Sequence, residues 1–304
     1  MLSLTGALTS AWQRLTHGSA KTPIIEQPEQ RAKPQLSRSG KFAAGGLLFM
    51  LIAVIVGPWL WQVDPLAQNI GQRLAPPSLS HPLGSDQFGR DVLARMLIGG
   101  RWSLFGAGFV CIGTSCLGLV LGACCAVGPR WLDYLLSRIT ETFQAIPPVL
   151  LALALSAILS RSFSNLLLAL ILTNWTWYAR MYRALILKEL AMPYIEGAQA
   201  IGVKPLAILL RHVLPNLFGS MVVIATTNFG SVILNLSALS FIGFGLNPPT
   251  PEWGNLINES RAFFQREPRL MIIPGLCIAT TVLWLNLLGN ALRDRLDHYQ
   301  GIRD

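Results

Sequence analysis

An all-α, polytopic membrane protein of about six transmembrane helices is the fold class this chain predicts, on three observations. Hydrophobic residues make up 52% of the 304 residues and charged residues only 13%, with a mean hydropathy of +0.48. The apolar residues fall in blocks, not at the short periods that mark the half-buried strands and helices of soluble folds. Each block approaches the ~20 residues that an α-helix needs to cross ~30 Å of hydrocarbon while satisfying its own backbone. Six stretches qualify: roughly Phe42 to Val63, Trp102 to Val127, Trp131 to Ile158, Phe163 to Leu187, Asn216 to Ser240 and Leu270 to Asn290. They divide the chain into an N-terminal tail (1–41), a transmembrane domain (42–290) and a C-terminal tail (291–304).

The N-terminus has neither a basic leader region nor a small-residue cleavage site, which argues against a secretory signal. Leu4, Leu8, Trp12 and Leu15 recur at near-helical spacing. Two readings are open there, a short helix lying on the inner leaflet of the lipid or an unstructured tail. Residues 21–40, rich in Pro, Gln, Glu, Lys, Arg and Ser, bury too little apolar area to fold alone.

The first span ends in Trp59 and Trp61, side chains suited to a membrane interface. The following run, His81 to Arg95, carries too many charges to span, and Val92, Leu93, Met96 and Leu97 predict a short amphipathic helix on the outer surface. In the second span, Gly118 and Gly122 form a small-xxx-small pair of the kind that lets helix backbones approach in lipid. The third begins with Asp133, Arg138 and Glu141, the last two spaced to pair on a helix. It then meets Pro147-Pro148, which remove backbone donors and predict a kink, serving either as a gate or as an adaptation of packing. The fourth span ends in Trp175, Trp177, Tyr178, Arg180 and Arg183, aromatic and then basic. The fifth closes on a segment, Ser240 to Asn255, whose glycines and prolines forbid a continuing helix and predict a structured loop. In that loop, Arg261, Arg266 and Arg269 stand against Glu252, Glu259 and Glu267.

A net charge of +9 would suggest nucleic acid in a soluble protein; here its distribution matters more. With the N-terminus inside, sixteen of the 24 Lys and Arg residues fall on the cytoplasmic side and eight outside. The excess favours both termini in the cytoplasm.

Several chemistries are missing. No G-x-x-x-x-G-K-[ST] phosphate-cradling loop occurs, so ATP hydrolysis within this chain is not expected. His17, His81, His212 and His298 lie outside the expected spans, and no H-E-x-x-H is present. All five cysteines sit in apolar blocks, where a free thiol behaves as a small hydrophobe, so neither disulfides nor a metal cluster is expected. An ion-coupled carrier, the main alternative, would usually keep ionisable groups at mid-membrane; here the charges sit at span ends. A non-transporting scaffold is the third reading.

Between the fourth and fifth spans lies polar punctuation, Tyr194-Ile-Glu-Gly-Ala-Gln-Ala-Ile-Gly202, followed by Leu214-Pro215. The spacing Glu196-x-Ala198, Gly202, Leu214-Pro215 resembles the EAA loop of ATP-binding-cassette importer permeases. Together with His81 to Arg95 and Ser240 to Gly254, in this order, it resembles permeases of the dipeptide/oligopeptide/nickel importer family, closest to the second, C-type subunit. Gly197 stands where that loop more usually has Ala, at a helix-propensity cost of roughly 1 kcal/mol. His212 stands where the superfamily has Ile, matching the R-H-x-L-P-N variant of this family.

The resemblance implies a bacterial inner-membrane subunit that pairs with a homologous permease, with two ATP-binding subunits inside and a solute-binding protein outside. ATP and Mg would be bound by those partners, and no cofactor by this chain. Glu196, Gly197, Ala198, Gly202, His212, Leu214 and Pro215 would couple to the ATPase. Asn247, Pro248, Glu252, Trp253 and Gly254 would contact the binding protein. The cargo stays open among dipeptides, oligopeptides, glutathione-like peptides and nickel or its chelates.

Overall fold

The computed structural model describes residues 36–300 apart from Arg161, with the side chains of 297–300 outside the description. The expected inner-leaflet helix at Leu4, Leu8, Trp12 and Leu15, and most of the N-terminal tail, therefore lie outside the described residues. All regular elements described are helical. They are α1 (Arg38–Leu60), α2 (Val92–Val127), α3 (Arg130–Gln144), α4 (Pro148–Ile158), α5 (Phe163–Leu190), α6 (Pro193–Ala200), α7 (Pro205–Ile208), α8 (Leu214–Leu239), α9 (Trp253–Ser260) and α10 (Arg269–Gln300), with short 3-10 and π turns between them.

Four helical stretches among the described residues are long and apolar enough to cross a membrane: α1, α2, the run Pro205–Phe244 built around α8, and Arg269–Leu296 of α10. A bent pair, α3 and α4, makes up to five. The third expected span is thus two helices at 91°, broken at Pro147-Pro148. Pro148 opens α4 at a position where no intrahelical N–H is needed. The fourth expected span is α5, long at 28 residues but made less apolar by Asn165, Thr173, Asn174 and Thr176. Two of these polar groups bond their own helix: the Thr173 hydroxyl donates to Ala169 O at 2.9 Å and the Asn174 amide to Leu170 O at 2.8 Å.

The helices pack as a bundle in which α5 runs along α2, and α10 lies on α8 and α1. Gly118 and Gly122 explain the first contact. A Cβ at Gly122 would stand 2.6 Å from Ala179 O, and one at Gly118 would collide with Tyr178. At one end of the bundle Arg183 of α5 grips Asp133 of α3 with two bonds of 2.7 Å. Arg138 and Glu141 pair at 2.7 Å as their spacing predicts, but in solvent, where such a pair stabilises little.

Two sequence expectations are corrected. Val92, Leu93, Met96 and Leu97 are not a separate surface helix; they form the first turns of α2, which Asp91 caps by accepting from Ala94 N at 2.7 Å. Nor does helical structure stop at Ser240. It continues as a π turn to Phe244 and ends where Gly243 adopts φ +102°.

Candidate functional site

Two polar regions stand out, one at each end of the bundle. The first is the segment from Glu189 to Pro215. Pro193 starts α6 without needing a donor, and Gly202 at φ +82° turns the chain toward α7 in the left-handed region that favours glycine. The turn is closed by Gly202 N donating to Gln199 O at 2.9 Å.

α6 is fixed from behind. Ile195 is fully buried in a cluster with Tyr182, Ile186, Ile208 and Val213. The Glu189 carboxylate, buried at the end of α5, accepts from Tyr194 OH at 2.6 Å and from the Asn216 side-chain amide. One carboxylate thus joins the end of α5, the first turn of α6 and the first turn of α8.

What remains outward is Glu196, Gly197, Gln199 and Ala200, together with Ile201, Leu206 and Leu210, which are 81%, 62% and 56% exposed. Ala198 is half-buried, and a Cβ at Gly197 would meet nothing within 4 Å. His212 lies exposed in a π turn, Leu209–Val213, immediately before α8. Pro215 accounts for that turn: its ring crowds the carbonyl four residues back and it has no N–H to give, and Leu214 N donates to Leu209 O, five residues back. Sequence reasoning singled out Glu196, Gly197, Ala198, Gly202, His212, Leu214 and Pro215, and these fall along one continuous segment. It missed Glu189, Ile195 and Asn216, which hold that segment, and the exposed Ile201 and Leu206, whose apolar side chains in a polar loop were the available signal.

The second region lies at the opposite end. Arg90 and Arg95, 2% and 1% exposed, meet Asp86 and Glu259. Arg90 Nε donates to Asp86 at 2.6 Å, while Arg90 Nη2 and Arg95 Nη2 reach the same Glu259 oxygen at 2.7 and 2.9 Å. Two cations and two anions balance. Asp91 adds a junction, accepting from Trp61 Nε1 at 3.0 Å and from His81 Nδ1 at 2.7 Å.

Here the expected contacts for a soluble partner need correction. Glu252, Trp253 and Gly254 are buried by packing of α9 against α2 and α8, and present no surface. Glu252 caps α9, accepting from Gly254 N, Asn255 N and the Ser103 hydroxyl, and Trp253 Nε1 donates to Met96 O at 3.0 Å. Burial pushes the Glu252 carboxyl above its usual range, and those hydrogen bonds oppose the rise. Glu259 faces Arg90 and Arg95 instead of the arginines of its own loop. Asn247 and Pro248 do remain exposed, Pro248 on the rim of an open groove of about 510 Å³ that Arg73, Phe88 and Phe263 also line.

Residues 117–299, more than half of the chain, match the family described as binding-protein-dependent transport system inner membrane component. The chain is 38% identical over 274 residues to the dipeptide transport system permease protein DppC of Alkalihalophilus pseudofirmus, covering 89% of this chain and 90% of that protein. It is 37% identical to the di/tripeptide transport system permease protein DppC of Pseudomonas aeruginosa, over 84% of this chain and 88% of that one. Identity to the glutathione transport system permease protein GsiD of Escherichia coli is 40%, over 84% of each. The ion-coupled carrier weighed from composition gives way to these matches. The chain belongs to the binding-protein-dependent inner-membrane permeases, as a C-type permease subunit of an ATP-binding-cassette importer with no ATPase activity of its own.

Proposed function

We propose that this chain forms half of the inner-membrane path of a short-peptide importer, together with a second, homologous permease. Two ATP-binding subunits, holding ATP and Mg, drive it from the cytoplasm, and a solute-binding protein delivers cargo from outside. The observation that carries the coupling role is the segment around α6. Ile195 and Glu189 hold it rigidly from behind while Ile201 and Leu206 stand in solvent beside Glu196. Apolar side chains on a braced polar loop suit a protein contact, and a braced element passes on a rigid-body movement of the ATPase. Glu196 offers its carboxylate to that contact, and Gly202 supplies the turn. The Lys and Arg excess supports cytoplasmic termini and a cytoplasmic α6. The bend at Pro147-Pro148 is the candidate gate, and Asn247 and Pro248 are the candidate contacts for the binding protein.

Peptide cargo is supported by the names of the three relatives. Direct coordination of nickel is not, because no group of three or more His, Cys, Asp or Glu able to hold a metal occurs among the described residues. Uptake by a strain lacking this chain, with and without restoration of the gene, tests the reading. Loss of labelled dipeptide uptake is expected. Retained peptide uptake with loss of nickel or chelated nickel would overturn the peptide assignment.

A further inference from the structure

Spanning helices that face lipid present apolar side chains, as α2 does with Phe105 and Phe109, 55% and 61% exposed. Two half-buried hydroxyls of the spans are satisfied within their own helix: Thr226 donates to Val222 O and Thr280 to Leu276 O. One face departs from both patterns. Ser231 of α8 is exposed, and Asn235, one turn further along the same face, is half-buried. Beside Ser231, Gly230 packs against α10 next to Asn286, whose side-chain oxygen would lie 3.7 Å from a Cβ at Gly230; Asn286 is itself exposed. The side chains of Ser231, Asn235 and Asn286 make no hydrogen bond among the described residues.

An unpaired carboxamide in hydrocarbon costs several kcal/mol, and polar side chains within spans face the bundle interior or a water-filled cavity. This face therefore belongs against water, not against lipid. Its chemistry is specific too. A hydroxyl and two carboxamides supply donors and acceptors without charge, and Leu234 and Ala238 flank them on the same helix face.

We propose that Ser231, Asn235 and Asn286 form the wetted wall of the solute path on this subunit, hydrogen-bonding in passing to the amide groups of a short peptide. This rests on the peptide-importer reading for its cargo. Uncharged groups interrupted by apolar ones suit transit, because they satisfy a peptide's polar atoms without holding it as tightly as a buried ion pair. Loss of Ser231 or Asn286 is thus expected to change which peptides pass, with little effect on assembly.

The experiment uses the complete importer in proteoliposomes, with the exposed native Cys116 replaced by alanine. Ser231→Cys, Asn286→Cys and, as the lipid-facing comparator, Phe109→Cys are each treated with a charged, membrane-impermeant methanethiosulfonate. Because the hydrated thiolate is the reacting species, positions 231 and 286 are expected to react at least about tenfold faster than position 109. Saturating dipeptide should slow that reaction, and reacted importer should lose dipeptide uptake. Rates equal to that of position 109 would overturn the proposal. So would disulfide capture of either cysteine by the second permease without reagent access, since the face would then be a subunit contact. The unreacted parent importer separates the two readings: if it fails to take up dipeptide, the peptide assignment falls, and the thiol rates still decide the wall.

Discussion

Arg101 donates from Nε to the carbonyl oxygen of Val54 at 2.7 Å, the acceptor that Pro58, four residues on, leaves without an intrahelical donor. Its Nη2 reaches the next carbonyl, Ile55 O, at 2.6 Å. In lipid a freed carbonyl has no water to turn to, so an arginine of α2 completes the hydrogen bonding of α1. Arg101→Leu is expected to lower stability in detergent by about 1–3 kcal/mol. Adding Pro58→Ala should recover part of the loss, because the helix then supplies its own donor. Thermal unfolding of the two single variants and the double variant checks this, and additive losses would refute it.

The ion cluster of Asp86, Arg90, Arg95 and Glu259 should respond asymmetrically to partial removal. Arg95→Met leaves Glu259 with Arg90 as its remaining close cation, and breaking a buried network in this way costs about 3–5 kcal/mol. Replacing Arg95 and Glu259 together by Met and Leu should cost less than Arg95→Met alone. Denaturation midpoints of the purified subunit decide between them.

Glu252 gives this end of the bundle a pH dependence with a definite sign. Its folded-state pKa is raised by burial, so the folded chain holds this proton more readily than the unfolded one. The resulting stability is fully present below the ordinary carboxylate range, about pH 4, and is lost as pH rises through the raised value. Glu252→Gln removes that titration. The stability of the wild type relative to the variant should therefore fall as pH increases, and a relative stability that rises would refute the assignment.

The two glycines of the α6 segment should behave oppositely. Gly197 is helical with open space around it, so Gly197→Ala is expected to firm α6 by about 1 kcal/mol and to preserve uptake. Gly202→Ala must hold a side chain at φ +82°, a strain of about 1–2 kcal/mol, and is expected to weaken copurification of the ATPase. Ile201→Glu should abolish that copurification while leaving the subunit in the membrane. Normal ATPase recovery in both the Gly202 and Ile201 variants would remove this segment from the coupling role.

Span existence was legible because apolar blocks of membrane length have few other uses, and the three motifs fixed the family by their order. The Pro147-Pro148 break was legible in place but not in angle, since two prolines permit a range of bends and packing selects 91°. Glu252 looked like a surface residue because acidic loop residues usually are. Its burial depends on Ser103, 149 positions earlier in the chain, and that of Arg95 on Glu259, 164 positions away. No local pattern announces partners at such separations. Glu189 was hidden for the same reason: its role exists only once α5, α6 and α8 are brought together.

The bend between α3 and α4 leaves α4 with 11 residues, a rise of ~16 Å, about half of the ~30 Å hydrocarbon thickness. A helix of that length does not seal a bilayer, and its far end, where Ile158 is 80% exposed, ends beyond the cover of its own chain. Cover for that end is expected from a companion permease, and cells that make the subunit without it should clear it by proteolysis faster than they clear the assembled pair.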